Sequence, residues 1–346
     1  MKLGFLGPLS GAASELGVSG RNGFTLAVEE LNSRGGIADR VIQPVISDDA
    51  NEAATAAVAI GKFAENDVRV VIGPFASAVA SSARAAAAES GILLISPTVS
   101  TSSLAGVDDN FFMLIGANRE QGVALAEQAL ASGVRTVTAL YEVTNAAYSL
   151  ELTNYFEAAF AAKGGKILES IPFTSSAQTS FTELAARLIR SRPDALLSIT
   201  SGRDNARLCQ ALTLAGSPLP VYAGTWSMTG DLVHQGGRTV ERMILAGIMG
   251  SEEAKAEFLP FQQAYESRFG MKPVFSSVLA HEAVTVVAEA LAVAPAAFSA
   301  SDAAKAILSV RSFKGLLGDL VFSDAGDNLR PYRVFTIRQG SFVPVK

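Results

Sequence analysis

Cysteine and histidine are nearly missing from this chain of 346 residues, which has one cysteine, Cys209, and two histidines, His234 and His281. A single cysteine excludes an intramolecular disulfide, and so few soft ligands exclude a typical zinc site. Charge is scarce too, at 18% of residues, and it is not basic: 28 Lys and Arg against 33 Asp and Glu leave a net −5. A basic face for a nucleic-acid backbone is therefore not expected. With 49% hydrophobic residues the chain is not a disordered polar one either. No apolar run is expected to reach the roughly 18 residues that span a bilayer, because Glu, Arg, Ser or Pro interrupts the alanine-rich stretches.

Catalytic signatures are absent as well. There is no G-x-x-x-x-G-K-[ST] phosphate loop, no G-x-G-x-x-G after a strand, no H-E-x-x-H and no G-x-S-x-G. Gly17, Gly20 and Gly23 recur at three, which does not match the dinucleotide fingerprint; a turn and close helix packing are the expected uses. No nucleophile and base stand together, so an enzyme is not expected, nor a cofactor or metal.

What is present is a rhythm of two domains' length, since domains usually run to roughly 100 to 200 residues. Short β-branched runs alternate with longer alanine-rich stretches whose apolar residues recur at three and four, the mark of βαβ units and parallel sheets. The pattern predicts strands at 3–7, 41–47, 68–73, 92–96 and 111–115, with helices at 19–32, 51–66, 77–90 and 119–132. It then restarts, with strands at 136–140, 166–173, 195–200 and 220–223 and helices at 149–163, 181–190 and 204–215. The tail departs from it: helices at 252–269, 276–294 and 302–308, then strands at 320–323 and 332–337. Met1–Gly7 reads as a first buried strand rather than a secretory leader, because Pro8 cuts the apolar run short.

Two loops are rich in hydroxyls. Gly73-Pro-Phe-Ala-Ser77 and Ser96-Pro-Thr-Val-Ser-Thr-Ser-Ser103 each follow a predicted strand, and ligands in open parallel sheets collect beyond the carboxyl ends of strands. Free N–H groups at a helix start, joined by Ser and Thr hydroxyls, suit a carboxylate. Helix capping by Ser77 and Ser100 accounts for the same residues.

The run Gly7-Pro-Leu-Ser-Gly11, with Gly17, Gly23-Phe-Thr-Leu-Ala-Val-Glu-Glu-Leu-Asn32 and Gly35-Gly-Ile37, resembles the opening of the periplasmic leucine/isoleucine/valine-binding proteins, the type I solute receptors of ABC importers. Ser47-Asp-Asp49, Val71-Ile-Gly-Pro74, Ile95-Ser-Pro97, Arg119-Glu-Gln121, Tyr148, Ser180-Phe181, Arg192-Pro-Asp-Ala195, Gln210-Ala211 and Phe322-Ser-Asp-Ala-Gly-Asp327 continue the likeness in order. The resemblance implies an α/β protein of two doubly wound parallel-sheet lobes joined by a three-crossing hinge. Residues 1–117 plus 249–325 would form the carboxylate-binding lobe, and 118–248 plus 326–346 the closing lobe. The crossings would fall near 116–119, 246–250 and 324–328. It further implies a monomeric periplasmic receptor, its leader removed, that closes over a small apolar carboxylate or amino acid and docks on a membrane permease. A cytoplasmic ligand-sensing regulator on the same scaffold is the alternative.

Carried over residue by residue, Ala76, Ser77, Thr98, Val99 and Ser100 would grip the carboxylate, and Leu16 and Phe75 would line the first lobe. Tyr148 and Thr200, Ser201 and Gly202 would approach from the second lobe, with Trp226 and His281 at two further ligand positions. Core packing is an equally open account of Tyr148 and Trp226. At Trp226 the amino-acid receptors tend to carry an acid that pairs with the ligand ammonium. Either Glu142 or Asp204 takes over that task, or the solute has no amino group. Asn51 and Ala76 stand where some relatives have a disulfide.

Overall fold

Short buried runs and alanine-rich amphipathic stretches give β1 (Lys2–Gly7), α1 (Ser14–Ser33), β2 (Gln43–Asp48), α2 (Ala53–Glu65), β3 (Val70–Ile72), α3 (Ser77–Ser90), β4 (Leu93–Ser96) and β5 (Phe111–Met113). The second cycle gives α4 (Asn118–Ala131), β6 (Thr136–Glu142), α5 (Ala146–Ala162), β7 (Lys166–Phe173), α6 (Phe181–Ile189), β8 (Ala195–Ile199), α7 (Gly202–Leu214), β9 (Val221–Ala223), α8 (Gly230–Gly236) and β10 (Met243–Gly247). Then come α9 (Lys255–Phe269), α10 (Phe275–Ala292), α11 (Ala300–Val310), β11 (Ser312–Phe313), β12 (Leu320–Val321), β13 (Arg333–Arg338) and β14 (Ser341–Pro344). These belong to a computed structural model that describes residues 1–248, 255–292, 294 and 297–345. Residues 249–254, 293, 295, 296 and 346 of the expectations lie outside the described residues.

Contacts divide the chain into Met1–Gly116 with Met249–Arg330, and Ala117–Ile248 with Pro331–Lys346. The first unit holds a five-stranded sheet in the order β2-β1-β3-β4-β5, parallel throughout. Leu6, Val71 and Leu94 face a core that includes Ile60 and Phe63 of α2 and Val79 and Ala83 of α3. On the other side Phe5 meets Phe24 of α1 at 5.5 Å. Burial on both faces explains why these strands read as continuous apolar runs.

α1 packs along α10, and glycine makes this approach close. A Cβ on Gly23 would stand 1.9 Å from the carbonyl oxygen of Ser277, and one on Gly17 would stand 2.0 Å from that of Pro8. α10 corrects one expectation: its 18 residues are long and apolar enough to cross a membrane. Because 83% of that stretch is buried inside the protein, it is a core helix.

The second unit has a seven-stranded sheet, β14-β13-β10-β9-β8-β6-β7. Five strands are parallel; β13 and β14 add an antiparallel edge. α4 and α5 bring Leu125, Leu152 and Phe156 onto Val137, Leu197 and Tyr222. The third passage of the chain does not lie at 324–328. Asn328 N donates to Met113 O at 2.8 Å and its Nδ2 donates to Leu114 O at 2.7 Å, which ties that segment to β5, and the first unit runs on to Arg330.

Candidate functional site

Strand order fixes where each unit can take a ligand. In the first unit the chain starts at β1, goes outward to β2 and returns on the other side at β3; in the second it goes from β6 to β7 and returns at β8. At such a reversal the loops beyond the two strands diverge and leave a crevice at their carboxyl ends. The loops in question are 8–13 and 73–77 in the first unit, and 143–145 and 200–202 in the second.

The hydroxyl-rich loops of the first unit are laced together. Thr98 Oγ1 donates to Phe75 O at 2.5 Å, Ser96 Oγ donates to Pro74 O at 2.7 Å, and Ser100 N donates to Ser77 Oγ at 3.4 Å. Ser77 is the first residue of α3, whose N-cap Ala76 supplies no side-chain cap. Ser77 therefore does not cap the helix, and it stands at the N-terminal, positive end of α3. The second loop opens no helix: turns alone separate β4 from β5. The helix starts at this reversal are those of α1, after loop 8–13, and α3, after loop 73–76.

Two residues expected at the ligand are core residues. Val99 is fully buried in the α2–α3 core and its N–H donates to Ser96 Oγ at 3.1 Å. Phe75 is 1% exposed and stacks on Phe5 at 5.1 Å, against the bare face of Gly20. Leu16 is buried in the first turn of α1. His281 lies elsewhere. On α10 its Nε2 meets Glu30 Oε2 of α1 at 3.0 Å, and its ring stands edge-on to Phe261 at 4.9 Å. The hydrogen bond with His281 holds the Glu30 carboxyl below its ordinary range despite burial. Both residues line a separate cavity of about 270 Å³ that includes Thr285 and Leu316 and no residue of the two hydroxyl-rich loops.

In the second unit Tyr148 and Trp226 form an edge-to-face pair, centroids 5.9 Å apart at 87°. Trp226 N donates to Tyr148 Oη at 3.3 Å, and burial pushes the phenol above its ordinary pKa. Thr200 is buried, Ser201 caps α7 through Asp204 N, and a Cβ on Gly202 would strike Thr229 Oγ1 at 2.1 Å. Both candidate acids are buried. Glu142 accepts three hydrogen bonds: Thr144 Oγ1 and Asn145 N donate to Oε2 at 2.8 and 3.1 Å, and Ser175 N donates to Oε1 at 3.2 Å. Asp204 Oδ2 accepts from Thr200 Oγ1 at 3.2 Å, whereas Oδ1 has no partner among the described residues.

The chain thus holds two α/β units, each with a reversal of strand order in its sheet. The chain belongs to the periplasmic binding protein family, whose model matches residues 1–341. It is 22% identical over 344 residues to Leu/Ile/Val-binding protein homolog 3 of Brucella melitensis, covering 99% of this chain and 92% of that protein. A shorter match to Leu/Ile/Val-binding protein BraC3 of Rhizobium johnstonii is 33% identical over 102 residues, 30% of this chain and 28% of the relative. Among solved structures, the branched-chain amino acid transporter substrate-binding protein LivJ of Streptococcus pneumoniae, in complex with isoleucine, superposes with a TM-score of 0.88 at 22% identity, covering 99% and 97% of the two chains. An ABC-transporter solute-binding protein of R. palustris in complex with benzoate gives 0.88 at 21% identity, covering 99% and 95%.

Proposed function

We propose that this protein is the extracytoplasmic receptor of an ABC importer and that it takes a small apolar monocarboxylate. The Ser77 and Thr98–Ser100 loops receive the carboxylate, and Tyr148, Trp226 and the Thr200–Gly202 loop cover the hydrocarbon body when the two units close. The observation that carries this reading is the laced pair of loops after β3 and β4, where the Ser77 hydroxyl sits at the positive N-terminal end of α3, a place that favours an anion. The relatives named above bind leucine, isoleucine or valine by their names, and one structural neighbour holds benzoate, so carboxylates with aliphatic and aromatic bodies are both within the family's reach.

Trp226 supports solutes without an amino group. By the resemblance, an indole stands where an acid would pair with an ammonium, and Glu142 already accepts three hydrogen bonds from its own loops. Cation–π attraction contributes only about 0.5 to 2 kcal/mol, less than a buried ammonium requires. The unpartnered Oδ1 of Asp204 favours a second reading, in which that oxygen holds the amino group of a branched-chain amino acid. A thermal-shift panel separates the two readings, because a ligand that binds only the folded state stabilises it by RT ln(1 + [L]/Kd). We expect 4-methylpentanoate and benzoate to stabilise at least as strongly as leucine. Stabilisation by leucine alone would hand the assignment to Asp204.

A further inference from the structure

Gln121 is buried on α4 and plays no part in the site as described so far. Its Oε1 accepts from Tyr148 Oη and from Thr225 N, each at 3.1 Å, and its Nε2 donates to Tyr332 Oη at 3.0 Å. Thr225 Oγ1 lies 3.1 Å from the same Oε1 and donates at 2.8 Å to Ala246 O, the shorter contact. Tyr148 Oη in turn accepts from Trp226 N. Gly224 keeps the space open, since a Cβ there would stand 2.3 Å from Tyr148 Oη. One amide thus satisfies the tyrosine of the aromatic pair and the backbone beside the tryptophan.

Directly at Tyr332, and through Thr225 at Ala246, the same amide is linked to residues near each place where the chain enters or leaves the second unit. Gln121 itself lies just after the passage at Gly116/Ala117, Ala246 just before the one at Ile248/Met249, and Tyr332 just after the one at Arg330/Pro331. We infer that Gln121 is a positioning residue: it sets the Tyr148–Trp226 pair and ties that pair to all three passages, so that solute affinity depends on hydrogen bonds at the hinge. This rests on the solute reading above. A buried hydrogen-bond network with each member satisfied acts as a unit, and its members couple when mutated.

Tyr332→Phe tests it, because that variant removes one hydroxyl on the hinge side and none of the residues assigned to the solute. Calorimetry with leucine, 4-methylpentanoate and benzoate is run on wild type, Tyr332→Phe, Tyr148→Phe and the double variant. Loss of one neutral hydrogen bond corresponds to roughly a fivefold change in an equilibrium constant. We expect Tyr332→Phe to weaken the tightest of the three about three- to tenfold, and the double variant to lose less than the product of the single losses. The change in emission of Trp226, the single tryptophan, on saturation should shrink in Tyr332→Phe. Gln121→Met, which removes donor and acceptor together, should weaken binding at least as much as Tyr332→Phe. A merely structural role would lower the melting temperature of the free protein and leave Kd and the emission change as in wild type; that result, or strictly multiplicative losses, overturns the inference alone. If wild type binds none of the three acids, the solute reading falls and the inference falls with it.

Discussion

Asp49 follows β2 with its side chain fully buried: Oδ1 accepts from Asn51 N at 2.9 Å, and Oδ2 has no partner among the described residues. Burial raises its carboxyl from 3.8 to about 6, with Asp48 adding to the rise and the Asn51 N–H opposing it. Between pH 4 and 6 the folded protein therefore holds a proton that the unfolded chain has lost. Stability from this group is present below pH 4 and falls as pH rises towards 6, by up to about 3 kcal/mol. Asp49→Asn should remove that slope, so the melting temperature of the variant relative to wild type should rise between pH 4 and 7; a constant difference would show that Asp49 titrates normally. At Ser77 the expectation concerns binding. A hydrogen bond to a charged acceptor contributes roughly 1.5 to 3 kcal/mol, so Ser77→Ala should weaken carboxylate binding about tenfold to a hundredfold by calorimetry. At this scale the sequence was only partly legible. Ser77, Thr98 and Tyr148 could be named from their place in a resemblance, but whether Phe75 and Val99 point into a crevice or a core depends on the strand's pleat and on Gly20 leaving room for a ring. The partner of His281 was not legible, because Glu30 is 251 residues away in sequence.

Among the elements, a glycine in the contact of α1 with α10 and one on the open side of α2 offer substitutions of opposite sign. Gly23→Ala drives a methyl group into the Ser277 carbonyl and should cost at least about 2 kcal/mol, read as a lower urea midpoint with an unchanged slope. Gly61→Ala on α2 meets nothing within 4 Å and should stabilise by about 0.5 to 1 kcal/mol, since alanine is the better helix former and restricts the unfolded chain. Equal effects at the two sites would contradict the packing described. The spacing of three that fails as a nucleotide fingerprint is the same spacing that lets α1 lie close to Pro8, Phe75 and Ser277. Elements with clear periodicity were legible, α3 and β7 to the residue. β10 was not, because Met243–Gly247 is a short apolar run with no alternation. α1 begins at Ser14 and not near Ser19, because its first turns carry the glycines that read as a loop.

At the scale of the whole molecule the chain divides into two units. If the solute is bound by closure, small-angle scattering should give a smaller radius of gyration at saturation than without ligand, because a ligand shifts a population only by binding one state better. The repeated α/β cycle was readable from alternating periods. The antiparallel edge of the second sheet was not, since β13 returns after the whole of α9–α11, and pairing across such a separation leaves no local signal. Solute chemistry was least legible, because it turns on whether a buried acid keeps a free oxygen, a matter of three hydrogen bonds at Glu142 and one at Asp204. The central claim is that the first unit's loops bind a carboxylate. Calorimetric titration of the purified protein with 4-methylpentanoate against 4-methylpentanamide, and leucine against leucinamide, addresses it most directly. A site that presents donors to an anion rejects the neutral amide, whose NH₂ leaves those donors unpaired. We expect the acid of the binding pair to win by at least about tenfold. An amide that binds as tightly as its acid would contradict the account.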